Sequence, residues 1–315
     1  MTTGKWSVVA IVKEPRAVIE RFVAWYLHQG ADRIYLYFDD PQDPGIALMR
    51  RFGSRVDCTP CTPGFWAHLH VDPAAHFTFR QNAVAMHGYA RIKDGWVAVV
   101  DADELMFPIN GSLDDLLASL PITERSVLIK PAEYVSFDNN PALTLFRRPM
   151  KPQQVNRIYG GFADYLRGNR GLVGHLVGKS ITRAGLAVSR AHPHWFCDRN
   201  GKRIIDATRT IEDGYAMLHF YFLNYADWRR KMEYRIKAMP RGRRDLLLEH
   251  LAILLQQGAE RRLRRVWRNM HVLSVPQKAM MQKRGLLFAP ELDLTAVTGQ
   301  YFGQDSAQPA IVRAA

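Results

Sequence analysis

Three acids, Asp101, Asp103 and Glu104, stand in the run WVAVVDADELMFP at residues 96–108. Two carboxylates two residues apart converge when the backbone turns sharply after a strand. Converging carboxylates suit a hard divalent cation that keeps several waters and draws its other ligands from substrate phosphates. Such a cation neutralises a departing diphosphate. Mg²⁺ or Mn²⁺ fits an all-oxygen site, and a histidine ligand shifts the choice toward Mn²⁺. The D-x-D tripeptide recurs by chance, so its setting matters more. Three uncompensated acids wedged between VAVV and LMFP are awkward for a purely structural loop. Glu104 is the one best suited to capping the turn and facing solvent. A second acidic pair, Asp39-Asp40, ends the apolar run RIYLYF.

The elements that must position these acids follow from hydropathy. Trp6 to Val12 reads as a buried strand bounded by Lys13-Glu14-Pro15. Ile19, Phe22, Val23 and Tyr26 recur at helical spacing, with Gly30 as a stop. Arg33 to Phe38 is a second strand, and a short helix at 46–52 and a strand at 55–58 follow. Residues 59–72 read as a loop, His76 to Ile92 as a helix, and Trp96 to Val100 as a strand covered on both faces. This alternation predicts a mainly parallel, Rossmann-like α/β sheet flanked by helices. Ligands bind at the carboxyl ends of such strands, where both acidic pairs fall. Further strands are expected at 127–131, 143–147 and 175–183. Helices are expected at 228–238, 244–256 and 259–271, and a loose tail from Gly303 on.

The same residues carry a resemblance. WVAVVDADELMFP resembles the W-x-x-x-x-D-x-D-E-F/L segment of the family 2-like and family 92-like glycosyltransferases. The opening VVAIVKEPRAVIERFVAWYLHQGADRIYLYFDDPQDPG is similar to that family's start. Phe79-Arg80-Gln81-Asn82 falls at its glutamine-containing helix start. GHLVGKSITR resembles its GK-S/K-I-x-R strand, and LHFYFLNYADWRRK its N-H-Y-x-x-S-x-E-E-F segment. The likeness spans roughly residues 7 to 235. It implies a GT-A fold over residues 1–224, a helical basic extension at 225–302 and a tail at 303–315. It also implies a nucleotide-sugar donor (a UDP-sugar by preference), Mn²⁺ or Mg²⁺, and inverting transfer to a glycan or lipid-linked acceptor. Carried over, Asp39 or Asp40 would contact the nucleoside, and Asp101 and Asp103 the ribose and the metal-diphosphate. Arg80, Gln81 and Lys179 would contact the donor, and His219 the metal or a phosphate. Lys13-Glu14-Pro15 departs from the family's K-N-E. Phe137-Asp138-Asn139-Asn140 departs from its F-G-x-S/N-G-H, so acceptor specificity does not transfer.

An inverting transfer needs a general base. Asp138, in the turn-forming Ser136-Phe137-Asp138-Asn139-Asn140, ranks first, Glu133 second and Asp164 third. His219 lies in an apolar setting that equally suits a core histidine, and His192-Pro193-His194 equally suits a surface loop. Cys58 and Cys61 are spaced C-x-x-C, but Cys197 stands alone, so no second ligand pair exists for zinc and the cysteines read as reduced thiols.

The chain has 315 residues, 47% of them hydrophobic and 23% charged, which supports a sizeable core. The net charge of +13 concentrates in Arg229-Arg230-Lys231, Arg241, Arg243-Arg244, Arg261-Arg262 and Arg264-Arg265. This excess fits a solvated helical face, an anionic membrane surface or anionic substrates. Nucleic acid is disfavoured, because the arginines are not interleaved with stacking aromatics and no nucleic-acid-binding signature stands out. Paired aspartates also suit a metal-dependent phosphoesterase or nucleotidyltransferase. No stretch approaches the roughly 20 apolar residues of a membrane span, and the N-terminus lacks a secretory pattern. The expectation is a cytoplasmic protein, with peripheral contact at the inner membrane face as an option.

Overall fold

In the computed structural model, which describes residues 4–140, 143–238, 245–303 and 306, strands and helices alternate through the N-terminal third. β1 (Trp6–Val12), α1 (Arg16–His28), β2 (Arg33–Phe38), α2 (Gly45–Met49) and β3 (Val56–Pro60) come first. α3 (Pro63–His68), α4 (Phe77–Arg91), β4 (Trp96–Val99), β5 (Glu104–Pro108), α5 (Leu113–Ser119) and β6 (Ser126–Ile129) follow. β1 is buried at every position, as an apolar run without alternation requires. α1 buries Ile19, Phe22, Val23 and Tyr26, the stripe its spacing predicts. The segment expected as a loop at 59–72 contains α3. Thr62 Oγ1 accepts from Phe65 N at 3.2 Å and proline occupies the first turn, so a capping signal outweighed the loop-like composition.

The chain continues through β7 (Pro131–Phe137), β8 (Leu145–Arg147), α6 (Pro152–Tyr159) and α7 (Ala163–Leu166). β9 (Lys179–Arg183), β10 (Val188–His192), β11 (Trp195–Asp198), β12 (Ala207–Arg209) and β13 (Tyr215–His219) come next. The last third holds α8 (Tyr225–Ala238), α9 (Leu246–Gln256), α10 (Glu260–His271), β14 (Val272–Leu273), α11 (Val275–Gln282), β15 (Leu287–Phe288) and α12 (Leu294–Phe302). Two compact units result. Among the described residues, one comprises 4–130, 177–217, 293–303 and 306, the other 131–140, 143–176, 218–238 and 245–292.

The first unit is built on a seven-stranded sheet of order β12-β6-β9-β4-β1-β2-β3. The pairs β1–β2, β2–β3, β1–β4 and β12–β6 are parallel, and β9 runs antiparallel to β4 and β6. The sheet is thus mixed and mainly parallel, with helices packed on it. Successive strands step outward from β1 to β3, and β4 then lies on the opposite side of β1. That reversal is the kind of switch point at which α/β sheets bind ligands. Val9, Ile11, Tyr37, Val84, Ala85 and Val97 fill one side of the sheet. Each buried valine or isoleucine among them is worth about 1.5–3 kcal/mol. α12 belongs to this unit, and Phe302 meets Phe52 edge-on at 5.2 Å.

The second unit pairs β15 with β8 and β8 with β7 in antiparallel fashion, and adds β14 parallel to β7. α8, α9 and α10 pack on one another over a core that includes Val135, Leu145, Trp228, Leu251 and Val266. α10 buries Leu263, Val266 and Met270 and exposes Arg261, Arg262, Arg264, Arg265 and Arg268, so the basic run is the wet face of an amphipathic helix. Arg241, Arg243 and Arg244 lie outside the described residues, as does the expected tail beyond Gly303 apart from Ser306. Among the described residues, no helix is long and apolar enough to cross a membrane.

Candidate functional site

The acidic run leaves β4 in a closed turn. Glu104 N donates to Asp101 O at 3.0 Å, and Asp101 N donates to the Glu104 carboxylate at 2.9 Å. Asp103 therefore rides the turn, partly exposed, while β5 carries the chain away. Tyr26 of α1 clamps the exit, its hydroxyl donating to Glu104 O at 3.0 Å and accepting from Met106 N at 3.2 Å. Glu104 was expected to cap the turn and face solvent. It does cap the turn, but it is buried, because Lys179 supplies a buried counter-charge at 3.2 Å.

Lys179 opens β9, and its ammonium also donates to Asp101 at 2.9 Å and to Pro193 O at 2.8 Å. Three acceptors match its three hydrogens, and the residue is 0% exposed. Its neighbour Gly178 has φ +92°, and a Cβ there would lie 2.0 Å from Ile129 O, so only glycine lets the chain enter β9 at this point. Burial opposes the Lys179 charge, but Asp101 and Glu104 outweigh it and raise its pKa. For Asp101, burial and the charges of Glu104 and Asp103 outweigh Lys179 and hold the carboxyl above its ordinary range. Its side chain keeps 36% of its exposure.

The helix α4 supplies the other partners. His76 caps it by accepting from Thr78 N, and its first turn presents Arg80 and Gln81 side by side. Gln81 donates to Asp101, and Arg80 pairs with Asp39. Arg80 also donates to Ala75 O at 3.2 Å and lies over Trp66 and Phe77, 5.8 and 5.5 Å from their ring centres. Asp39 remains in the sheet ladder, donating to Val12 O at 2.9 Å, with Lys13 3.9 Å from its carboxylate. Asp40 is exposed and caps Gln42 N at 2.9 Å. Asp39, Arg80, Gln81, Asp101 and Lys179 thus form one polar edge where β1, β2 and β4 end.

Glu133, Asp138 and His219 belong to the second unit. Glu133 and Arg147 sit opposite each other in the β7–β8 register, and both are buried. Arg147 donates to Glu133 at 3.1 Å, to Tyr159 Oη at 2.9 Å and to Met270 O at 2.7 Å. The amides of Val173 and Gly174 also donate to Glu133, at 3.0 and 2.6 Å. Burial alone would raise the Glu133 carboxyl, yet Arg147, His219 and the Val173 amide hold it below its ordinary value. A saturated carboxylate of lowered pKa is a poor proton acceptor, which disfavours Glu133 as the base and fits it as a structural anion. Asp138 is exposed after β7 and pairs with Arg268 of α10. His219 is buried, its ring 5.2 Å from that of His175 and 4.8 Å from that of Tyr221. A Cβ on Gly174 would lie 2.9 Å from His219 Nδ1 and 3.0 Å from Glu133 Oε2, so Gly174 has no room for a side chain beside them.

Of the remaining candidates, Asp164 is exposed and pairs with Arg167 at 2.7 Å, the helical i,i+3 arrangement of an ordinary surface acid. His194 Nδ1 lies 2.9 Å from Gly178 O, and His192 stacks on Trp195. The three cysteines are free. Burial pushes the Cys58 and Cys61 thiols up to about 11 and about 12, so both stay protonated near neutrality. Arg147 and His175 escaped sequence reasoning. Arg147 carries a signal in retrospect, being a charged residue in an apolar strand with an acid at a matching place in the preceding strand. His175 carries none.

Within this edge the carboxylates of Asp101 and Asp103 are of the type that can hold a hard divalent cation.

No family model matches the chain, and no curated protein does. Among solved structures it is similar to HddC from Yersinia pseudotuberculosis, at 10% identity and a TM-score of 0.28 over 44% of this chain and 66% of that one. It is also similar to 4-diphosphocytidyl-2C-methyl-D-erythritol synthase, at 11% identity and a TM-score of 0.26 over 46% of this chain and 69% of that one. The match thus spans just under two thirds of the first protein and slightly more of the second. Likenesses this distant leave the function to be read from the site itself.

Proposed function

We propose that the protein is a metal-dependent glycosyltransferase of the GT-A type. It moves a sugar from a nucleotide-diphosphate donor, a UDP-sugar by preference, to a hydroxyl of a glycan or lipid-linked acceptor, with inversion. The observation that carries this reading is the acidic turn at the end of β4. There Gln81 and Lys179 hold Asp101 beside the switch point, and Asp103 follows in the same turn, partly exposed. Asp39, pinned by Arg80, would accept from a nucleoside hydroxyl or base. Lys179, being fully buried, positions Asp101 and does not itself contact the donor. Mn²⁺ or Mg²⁺ bound at Asp103 would supply charge neutralisation of the diphosphate. The acceptor hydroxyl loses its proton to a carboxylate as its oxygen bonds the sugar carbon and the nucleoside diphosphate departs, and Asp138 is the proposed base.

A panel of nucleotide sugars tests this, read as thermal shift with and without Mn²⁺ or Mg²⁺. The expected result is a shift that needs both components and disappears in Asp103→Ala. No metal-dependent shift with any common nucleotide sugar sinks the proposal. Turnover of a nucleoside triphosphate with release of pyrophosphate would instead make the enzyme a nucleotidyltransferase. For the base, Asp138→Asn should lower kcat by about 10²–10⁴ and leave the donor shift intact.

A further inference from the structure

The first unit also holds a cavity of about 500 Å³ lined by α4 and the β10–β11 hairpin, within the ordinary range of small-molecule sites. Phe79, Asn82 and Met86 form one wall, and Arg190, His192 and Trp195 the other. None of these residues takes part in holding the acidic turn.

Four features describe what the cavity would bind. His192 and Trp195 stack at 4.0 Å with their planes 9° apart, which makes a stiff, flat surface. Phe79, on the first turn of α4, is 69% exposed, an aromatic ring that packing does not use. Asn82 Oδ1 is buried without a hydrogen-bond partner, so turning that amide toward the cavity breaks no bond at Oδ1. His192 is exposed at the rim, where partial desolvation and the charges of Lys179 and Arg190 lower its pKa, and its ring nitrogens can serve a ligand's hydroxyls.

Flat apolar faces edged by an amide, an imidazole and a guanidinium match a pyranose ring, which has a C–H face and a hydroxyl rim. A wholly apolar ligand would leave the buried Asn82 Oδ1 without a partner.

Both walls are tied to the acidic turn. Lys179 donates to Pro193 O, in the hairpin turn between His192 and Trp195, and to Asp101. Arg80 and Gln81, between Phe79 and Asn82 on α4, hold Asp39 and Asp101. We propose that this cavity is a carbohydrate-binding subsite that stacks a sugar ring on the His192–Trp195 pair and Phe79. Its use for the acceptor sugar rests on the glycosyltransferase reading, but carbohydrate binding does not.

Saturation-transfer NMR on the full chain tests the proposal, without donor or metal. The probes are neutral and uronic-acid-containing di- and trisaccharides. Ring C–H protons of at least one saccharide should receive saturation. Phe79→Ala and Trp195→Ala should each weaken binding by about ten-fold, the scale of one lost aromatic contact, and Trp195→Phe should retain it. Phe79 is exposed, so its variant reports even where Trp195→Ala fails to fold. Asp103→Ala should keep saccharide binding while losing the metal-dependent donor shift, which separates failure of this subsite from failure of the proposed reaction. The proposal is overturned if no saccharide binds, if binding survives Phe79→Ala, or if uridine displaces the saccharide.

Discussion

Lys179 in the first unit and Arg147 in the second are both wholly buried cations holding carboxylates, yet the two clusters are chemically opposite. Glu133 spends its oxygens on Arg147 and the amides of Val173 and Gly174, and its carboxyl falls below the usual range. Asp101 keeps part of its surface, has two further acids for neighbours, and its carboxyl rises. One arrangement is electrostatically closed and locks β7 to β8. The other gathers three acids around one lysine and leaves the Asp101 side chain partly exposed. A buried ion pair therefore says little about function until the remaining acceptor capacity and the uncompensated charge are counted.

Removing either cation is the most disruptive change. Arg147→Met strands Glu133 and should cost about 3–5 kcal/mol, read by chemical denaturation of the full chain. Lys179→Met strands Asp101 and Glu104 and should cost a similar amount, about 3–5 kcal/mol. The comparison turns on ligand response. Arg147→Met that still folds should keep the metal-dependent nucleotide-sugar shift, and Lys179→Met should lose it. Equal responses in both variants would erase the distinction drawn between the clusters.

A smaller effect is expected of Gln81→Ala, which removes one bond to a charged group worth about 1.5–3 kcal/mol. It should also weaken the donor shift, because Asp101 loses one of its two restraints. An unchanged shift would confine the positioning role to Lys179.

Acid should separate the clusters further. The Glu133 carboxyl titrates below its unfolded value of about 4.3. Its stabilisation is therefore complete above that value and is lost as pH falls through the folded pKa. Fluorescence of Trp228 and Trp267 in the second unit should report a loss of stability at low pH, and Arg147→Met should flatten that limb. A limb unchanged by the variant would assign the acid sensitivity to other groups.

The smallest change is expected for Asp138→Asn. Its partner Arg268 is exposed, so stability should shift by at most about 1 kcal/mol. A larger loss would mean that the pair is structural and would weaken Asp138 as the proposed base.

Much of the first unit was legible along the chain. Burial without alternation marks β1 and β4, and a four-residue stripe marks α1, because strand and helix periods are local properties. The place of Asp101 after β4 and of Asp39 after β2 follows from the same patterns. At Thr62 and Pro63 a cap and a first-turn proline outweigh loop-like neighbours.

What tertiary structure alone decided is which charges meet. Glu104 turned inward because Lys179, far along the chain, arrives beside it on β9. Glu133 became a strut because the β7–β8 register set Arg147 opposite it. The division of 131–176 from 177–217 likewise follows from packing and not from composition. Periodicity reports which face of an element is buried. The partner waiting there is a long-range contact, and no local pattern encodes it.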